Sequence, residues 1–400
     1  MMDKKTKLFI ATLDPAKQGG VPTMAKFVYT EAIRDGLEPW PIYNIVRSFR
    51  QEKEPGTFSG VLNGFKAEAH QEVLYGLNGI GIDRVLPELE FFNYLLNLRV
   101  WKRITNEDGI FFGACGANLC MLPFALLNKD FSLWVATTLY EDKIDRVRRS
   151  SLSWKIRDIL SLPILLWMEG FVFRKAKRIL ALSTYTKDCI MKKYGVDISK
   201  IDVAFYPIDS KSFYPIPYGK RKNDYILFTG RITDLRKNAA MLISAFAKIH
   251  EEFPWVKLKF AGEIPGEKLF RLVRELGVSD HVEFIDFVRE RELLSLYQNA
   301  LLFVIPSLQE GLCISGLEAL ACGIPVISTK CGGPEDFVVD GVTGYLVNND
   351  DEGDMVEKMR AFLNMKEEGR KSLSMGAVEH IKENNSIEKI WPKFRDCFIL

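Results

Sequence analysis

The 400-residue sequence predicts an α/β protein of two domains, each built on a parallel sheet. Three observations carry that expectation. Short apolar runs alternate with longer amphipathic ones, the pattern of strands joined by crossover helices. Two separate places read as the opening strand of such a domain, each followed by a glycine turn and a helix. Between them lies a stretch rich in proline and charge that suits an exposed connection better than a packed element.

The first opening is Lys7–Thr12, which leads into a loop with Gly19 and Gly20 and a helix-like run from about Pro22 to Asp35. Strands are expected next at Gly109–Phe112, Leu133–Ala136, Arg178–Ser183 and Val203–Phe205. After the first of these, Phe112 to Ala117 reads as a small-residue turn that either lines a cleft or permits close helix–sheet packing. The connection runs from Pro207 to Asp224, with Pro215, Pro217, Gly219 and then the charged run Lys220-Arg221-Lys222-Asn223-Asp224. The second opening, Tyr225–Thr229, ends at Gly230 and precedes a helix from about Asn238 to Glu252. Lys257–Ala261, Val282–Ile285, Leu302–Ile305 and Pro325–Ser328 complete the expected strands. Trp391, Phe394 and Phe398 lie at helical spacing and suit a terminal helix that packs rather than binds a ligand.

Composition narrows the function. Hydrophobic residues at 47% and charged residues at 26% exclude a disordered chain and a collagen-like repeat. A net charge of +2, from 54 basic and 52 acidic side chains, leaves no global field to recruit nucleic acid. The seven cysteines are never spaced C-x-x-C, and His70, His250, His281 and His380 stand alone. Neither a metal site nor a disulfide framework is expected, and the cysteines read as free thiols in a reducing compartment. The amino terminus lacks the apolar core of a signal peptide. Ile159 to Phe173, interrupted by Pro163 and Glu169, is too short to span a bilayer comfortably. The expected location is cytoplasmic. The basic series Lys143, Arg146, Arg148, Arg149, Lys155 and Arg157 before that apolar segment is either a solvated helix face or a surface for anionic lipid.

Two segments carry chemistry. In Ile305 to Leu320 an apolar strand runs into a turn with Glu310 and Gly311, and a helix is expected to begin near Leu312. Gly311 lets a ligand approach the backbone, and the free N–H groups of Leu312 and Cys313 would face an anion. Glu318 follows about two helical turns later, on roughly the face Glu310 would share. Two carboxylates beside a phosphate-binding helix end suit the hydroxyls of a sugar nucleotide. A surface acid and an ordinary helix glutamate are the plainer alternative. In the second segment Phe228-Thr229-Gly230-Arg231 ends a strand, and Arg236-Lys237-Asn238 opens the next helix. Arg231 and Lys237 could converge on a diphosphate, one as a planar fork and one as a point charge.

These residues resemble glycosyltransferase family 4. The resemblance rests on Gly230-Arg231 with Lys237, Pro306-Ser307, Glu310-x7-Glu318, Ala321-Cys322-Gly323-Ile324-Pro325-Val326-Ile327 and Gly332-Gly333-Pro334-Glu335. It extends to Gly19-Gly20, Ala181 to Thr186, and Asp209-x3-Phe213-x-Pro215. It implies a GT-B fold: two Rossmann-like α/β/α domains facing across a cleft, residues 1–210 for the acceptor and 211–381 for the donor. The last helix, about 382–400, would return to the first domain. By the same resemblance, Glu318 would bond the ribose hydroxyls and Glu310 the sugar hydroxyls. Arg231 and Lys237 would neutralise the leaving diphosphate, with help from the Leu312 and Cys313 amides. Gly230 and Gly311 would line the donor, Gly19 and Gly20 would face the diphosphate, and the base would lie near Phe287-Val288 and Gly262-Glu263.

The implied activity is a retaining, metal-independent transfer from a UDP- or GDP-linked sugar to an acceptor hydroxyl, in glycan or polysaccharide synthesis, with no cofactor. The acceptor would be a glycan or a lipid-linked molecule, with possible peripheral contact to a membrane. One departure stands out. The family often carries a histidine in a segment like Val-x-Thr-x-His, but Leu133 to Asp142 holds none, and Thr138 takes that place. Two other readings remain open: a non-catalytic sugar-nucleotide-binding subunit, and a sugar-nucleotide epimerase on the same fold.

Overall fold

In the amino-terminal half, continuous apolar runs form strands that are covered on both faces. The computed structural model describes residues 5–12, 19–45, 68–74, 76–83, 94–95, 98–116, 118–141, 152–222 and 224–398. Its elements here are β1 (Lys7–Thr12), α1 (Gly20–Arg34), β2 (Glu38–Ile45), β3 (Ala69–Leu74), β4 (Leu77–Asp83), α2 (Leu98–Thr105) and β5 (Ile110–Cys115). There follow α3 (Leu122–Leu126), β6 (Ser132–Val135), α4 (Leu152–Lys175), β7 (Ile179–Ala181), α5 (Thr184–Tyr194) and β8 (Ile201–Val203). The sheet runs β3-β4-β2-β1-β5-β6-β7-β8. Leu8, Phe9, Ile10, Leu133, Trp134 and Val135 are all buried, as a parallel sheet covered by helices requires.

Several expectations are corrected here. The sheet is not wholly parallel, because β3 pairs antiparallel with β4. β2 escaped notice because Pro39 and Pro41 argue against an interior strand, yet it pairs with both β1 and β4. Phe112 to Cys115 is not a turn but the continuation of β5. A Cβ on Gly113 would sit 2.7 Å from Met121 and 3.1 Å from Leu133, so the small residue there serves packing. The cysteines are not all free: Cys115 and Cys120 are joined by a disulfide. A 3-10 turn over Asn118–Met121 folds Cys120 back onto the end of β5, a closure that spacing alone does not reveal. Lys143, Arg146, Arg148 and Arg149, with the side chains of Lys155 and Arg157, lie outside the described residues.

The second half continues with β9 (Tyr225–Thr229), α6 (Ala239–His250), β10 (Lys257–Ala261), α7 (Glu267–Glu275), β11 (Val282–Ile285) and α8 (Glu290–Asn299). After these come β12 (Leu302–Ile305), α9 (Ile314–Ala321), β13 (Val326–Thr329), β14 (Gly344–Val347), α10 (Glu352–Asn364), α11 (Glu367–Asn384) and α12 (Ile387–Arg395). The sheet, parallel throughout, has the order β11-β10-β9-β12-β13-β14. The chain leaves β9 toward β11, then returns to the other side of β9 as β12. The carboxyl ends of β9 and β12 therefore flank a topological switch point, where open α/β sheets bind ligands.

The chain divides into two compact units, Met1–Ala204 with Trp391–Leu400, and Phe205–Ile390. Within the first, the Phe27 ring lies 5.9 Å from that of Trp391, and Phe112 lies 5.2 Å from Phe398. The Trp391 indole donates to Asp35 at 2.8 Å. Among the described residues no helix is long and apolar enough to cross a membrane.

Candidate functional site

The switch point of the second unit gathers most of the residues singled out in its sequence. Thr229 ends β9, and Gly230 follows with φ 138°, a conformation that favours glycine. A Cβ on Gly262 would lie 2.7 Å from the Gly230 carbonyl oxygen, so the ends of β9 and β10 close together only with glycine at 262. Next comes a 3-10 turn over Leu235–Lys237, capped by Asp234, which accepts from the Arg236 amide at 3.1 Å. Burial would raise the Asp234 carboxyl, but the hydrogen bond and charge of Arg236 outweigh it and hold its pKa below the ordinary value. Asn238, at φ 48°, ends the turn and admits α6.

This local geometry aims Lys237 at the end of β12. Its ammonium lies 2.7 Å from Glu310 Oε1, with side-chain exposures of only 17% and 11%. The Ser307 hydroxyl donates to the same oxygen at 2.6 Å. Burial pulls the Lys237 pKa down, yet the Glu310 carboxylate more than compensates and holds it above its ordinary value. Lys237 is therefore a fixed positive charge. Arg231, by contrast, leaves 68% of its side chain exposed and touches Asp234 only at 3.4 Å. It is free to swing onto an anion.

Glu310 is pinned by its backbone as well. Its N–H donates to Cys331 at 2.8 Å, and Gly333 N–H donates to its carbonyl at 3.0 Å. The Gly-Gly pair has a physical reason: a Cβ on Gly333 would meet the Gly311 oxygen and Leu312 Cα at 2.3 Å. Gly333→Ala is expected to push the Glu310–Leu312 segment away, costing about 2–3 kcal/mol of stability. Chemical denaturation measures that loss, and a parallel fall in nucleotide affinity shows that the segment serves the site.

The helix after this turn starts later than expected. Cys313 sits at φ 69° and α9 begins at Ile314 rather than near Leu312. The break also separates the helical phase of Glu310 from that of Glu318, so the two carboxylates do not share one face. A helix cannot satisfy its first N–H groups internally, and of those in the first turn of α9 Gly316 donates to the Cys313 carbonyl at 3.0 Å. Burial and the neighbouring Glu310 push the Cys313 thiol up to about 11, which keeps it neutral.

Glu318 belongs to a second network. Its carboxylate accepts the Tyr297 phenol at 2.8 Å, and Tyr297 in turn meets the Thr229 hydroxyl at 2.7 Å. Burial pushes the Glu318 carboxyl up to about 7, against the Tyr297 hydrogen bond that pulls it down. Glu263 accepts from the Thr233 amide at 3.2 Å and its hydroxyl at 2.7 Å, and so braces the loop that carries Arg231. Phe287 at the end of β11 is exposed, and Val288 beside it is half-buried. Nothing in the sequence marks Tyr297, and Thr229, Ser307 and Glu263 stand there only inside motifs or beside the expected base pocket, with no role of their own. An aromatic inside a helix and a hydroxyl at a strand end carry no distinctive spacing.

Gly19, Gly20 and Thr138 lie in the first unit. Gly19, at φ 140° with nothing within 4 Å of its Cβ direction, caps α1, whose first residue is Gly20. Thr138 is only 1% exposed, and its hydroxyl accepts from the Glu141 amide at 3.4 Å. The same turn is held by buried Glu169, which accepts from Leu139 N–H at 3.0 Å and Asn118 Nδ2 at 2.6 Å, and from the Tyr194 hydroxyl.

Residues 212–379 match the family described as Glycosyl transferases group 1. The chain is 31% identical over 226 residues to D-inositol 3-phosphate glycosyltransferase of Mycolicibacterium smegmatis, covering 53% of this chain and 50% of that protein. It is 30% identical over 224 residues to the Pseudarthrobacter chlorophenolicus protein of the same name, covering 53% and 52%. The chain thus spans about half the length of the curated relatives it matches. Among solved structures, sucrose-phosphate synthase from Thermosynechococcus elongatus aligns with a TM-score of 0.75 at 16% identity over 98% of both chains. Anabaena HepE in complex with UDP and glucose aligns with a TM-score of 0.72 at 14% identity, again over 98% of both. These likenesses show the fold, two α/β units of the GT-B kind on largely parallel sheets.

Proposed function

We propose that this chain, whose residues 212–379 match the glycosyl transferases group 1, moves a sugar from a UDP- or GDP-linked donor to an acceptor hydroxyl. The reading adds that the anomeric configuration is retained and that no metal is needed. The observation that carries it is the Lys237–Glu310–Ser307 cluster beside the start of α9, at the switch point between β9 and β12. Breaking the bond to the donor phosphate places charge on a leaving diphosphate, and preorganised donors at that spot lower the barrier most. In this reading Lys237 supplies a permanent positive charge, Arg231 closes from the exposed side, and the Leu312 and Cys313 amides add their dipoles. Glu310 orients the sugar hydroxyls while Glu318 holds the ribose. With two cations on the diphosphate, neutralisation does not depend on a bound metal ion. The acceptor hydroxyl attacks from the face the phosphate leaves, and the departing phosphate oxygen takes its proton.

Val288, just past the end of β11, is assigned to the base. Thr138, buried and capping its own turn, is assigned to holding that turn. The relatives' name makes D-inositol 3-phosphate the first acceptor to try. Exposed Ile164 and Trp167 on α4 support peripheral contact with a membrane and a lipid-linked acceptor as the second. The test is proton NMR of UDP-glucose or GDP-mannose incubated with either acceptor in the presence of EDTA. Transfer to a product of unchanged anomeric configuration supports the reading. An intact donor, or a new nucleotide sugar in place of a glycoside, contradicts it.

A further inference from the structure

The roles assigned so far leave out the buried tyrosine behind Glu318. Tyr297 is fully enclosed in α8, its ring 5.9 Å from Phe213 and 5.8 Å from Phe303. Its hydroxyl donates to Glu318 at 2.8 Å, which leaves its lone pair to accept from the Thr229 hydroxyl at 2.7 Å. Three groups from β9, α8 and α9 thus form one line, and Thr229 is the residue directly before Gly230. Buried tyrosine hydroxyls find a partner, but nothing in packing alone requires that the partner be a carboxylate of the site.

The surroundings of Glu318 make that hydrogen bond decisive. Glu290, at the head of α8, adds a like charge. The Cys322 thiol at the end of α9 is itself kept neutral, pushed up to about 12 by burial and by Glu318. Beyond it, the Arg221 guanidinium is spent on the carbonyls of Gly323 and Cys322, at 2.8 and 3.2 Å. β12 and β13 bring no titratable side chain, and α11 buries Leu373, Ser374 and Ala377. Burial and Glu290 both favour a protonated Glu318, and Tyr297 is the group that opposes them.

We propose that Tyr297 is a positioning residue of the donor site: backed by Thr229, its hydrogen bond orients Glu318 and favours the form that accepts ribose hydroxyls. This rests on the donor-site reading above. Tyr297 touches no substrate and acts through Glu318. Protonation would turn one acceptor position of Glu318 into a donor, so donor affinity follows its ionisation.

The experiment is calorimetry of UDP-glucose and GDP-mannose from pH 5.5 to 9 on the full chain. Their phosphates are already fully ionised across that range. For the natural protein, affinity for one of the two should weaken below about pH 7, the range in which Glu318 titrates. In Tyr297→Phe the ring packing remains, but the midpoint should move up by about one pH unit, the usual effect of losing a hydrogen bond to a charged group. Binding at pH 7 then falls about fivefold and recovers by pH 9. Thr229→Val, which keeps Tyr297, should move the midpoint the same way by less, and it stands in if Tyr297→Phe does not fold. An unmoved midpoint, or a loss equal at every pH, overturns the role of Tyr297 while leaving the donor site intact. Failure of the natural protein to bind either nucleotide sugar overturns the donor-site reading and this inference together.

Discussion

Replacing Lys237 by alanine should lower turnover about a thousandfold, the effect of deleting a preorganised group that stabilises developing charge. Of the two cations assigned to the diphosphate, Lys237 is the one with a fixed position, held 2.7 Å from Glu310 and largely shielded from water. Its charge is in place before the donor bond breaks, so none of its stabilisation is spent on reorganisation. The mutation also strands Glu310 beside Ser307, and removing one partner of a shielded pair costs about 3 kcal/mol or more. Thermal unfolding must therefore accompany the kinetics. A folded variant with kcat down by orders of magnitude and donor KM changed far less fits a charge that acts mainly in the transition state. Activity within tenfold of the natural protein would refute the role. Arg231→Ala should cost less, because an exposed side chain pays ordering entropy before it reaches the diphosphate.

Glu318→Gln is expected to separate stability from function. Because burial pushes the Glu318 carboxyl up to about 7 from a reference of 4.5, the folded state binds its proton more tightly than the unfolded chain does. Stability from this group is complete below pH 4.5 and drains away as pH rises through 7, a loss of about 3 kcal/mol. Glutamine keeps the shape, accepts the Tyr297 hydroxyl and does not ionise. Above pH 8 the variant should melt about 5–10 °C higher than the natural protein, with the difference shrinking toward pH 4.5. Nucleotide affinity should meanwhile fall roughly 10- to 100-fold, since hydrogen bonds to a charged acceptor exceed those to a neutral one. Equal melting at every pH, or unchanged affinity, would show that Glu318 is an ordinary helix residue. A carboxylate that destabilises its own fold at working pH is the mark of a group kept for binding.

The main features of the second unit were legible because its motifs are local. Gly230-Arg231 and Glu310 follow strands whose apolar runs are unmistakable, Lys237 and Glu318 stand a short way beyond them, and a parallel sheet gathers such ends at one edge. What stayed hidden depends on contacts between elements. Tyr297 lies in Leu293-Leu294-Ser295-Leu296-Tyr297, which reads as core. Only the return of the chain to the far side of β9 brings it between Thr229 and Glu318. The late start of α9 turns on the left-handed backbone of one non-glycine residue, Cys313, which no propensity signals. In the first unit, Pro39 and Pro41 masked β2, and the hairpin partner β3 alternates too weakly to stand out. The Cys115–Cys120 bridge needed the 3-10 turn between them. In the sequence Glu169 only interrupts an apolar run, and its task of holding the Thr138 turn required the structure.

The central claim is that the second unit holds a nucleoside diphosphate at the β9–β12 switch point. Calorimetry with UDP and with GDP, each with EDTA and again with magnesium, tests it most directly. The account predicts micromolar binding of one nucleotide, unchanged by magnesium and lost in Glu318→Ala. Binding that requires the metal would contradict the roles of Arg231 and Lys237. Binding indifferent to Glu318, or absent for both nucleotides, would contradict the site itself.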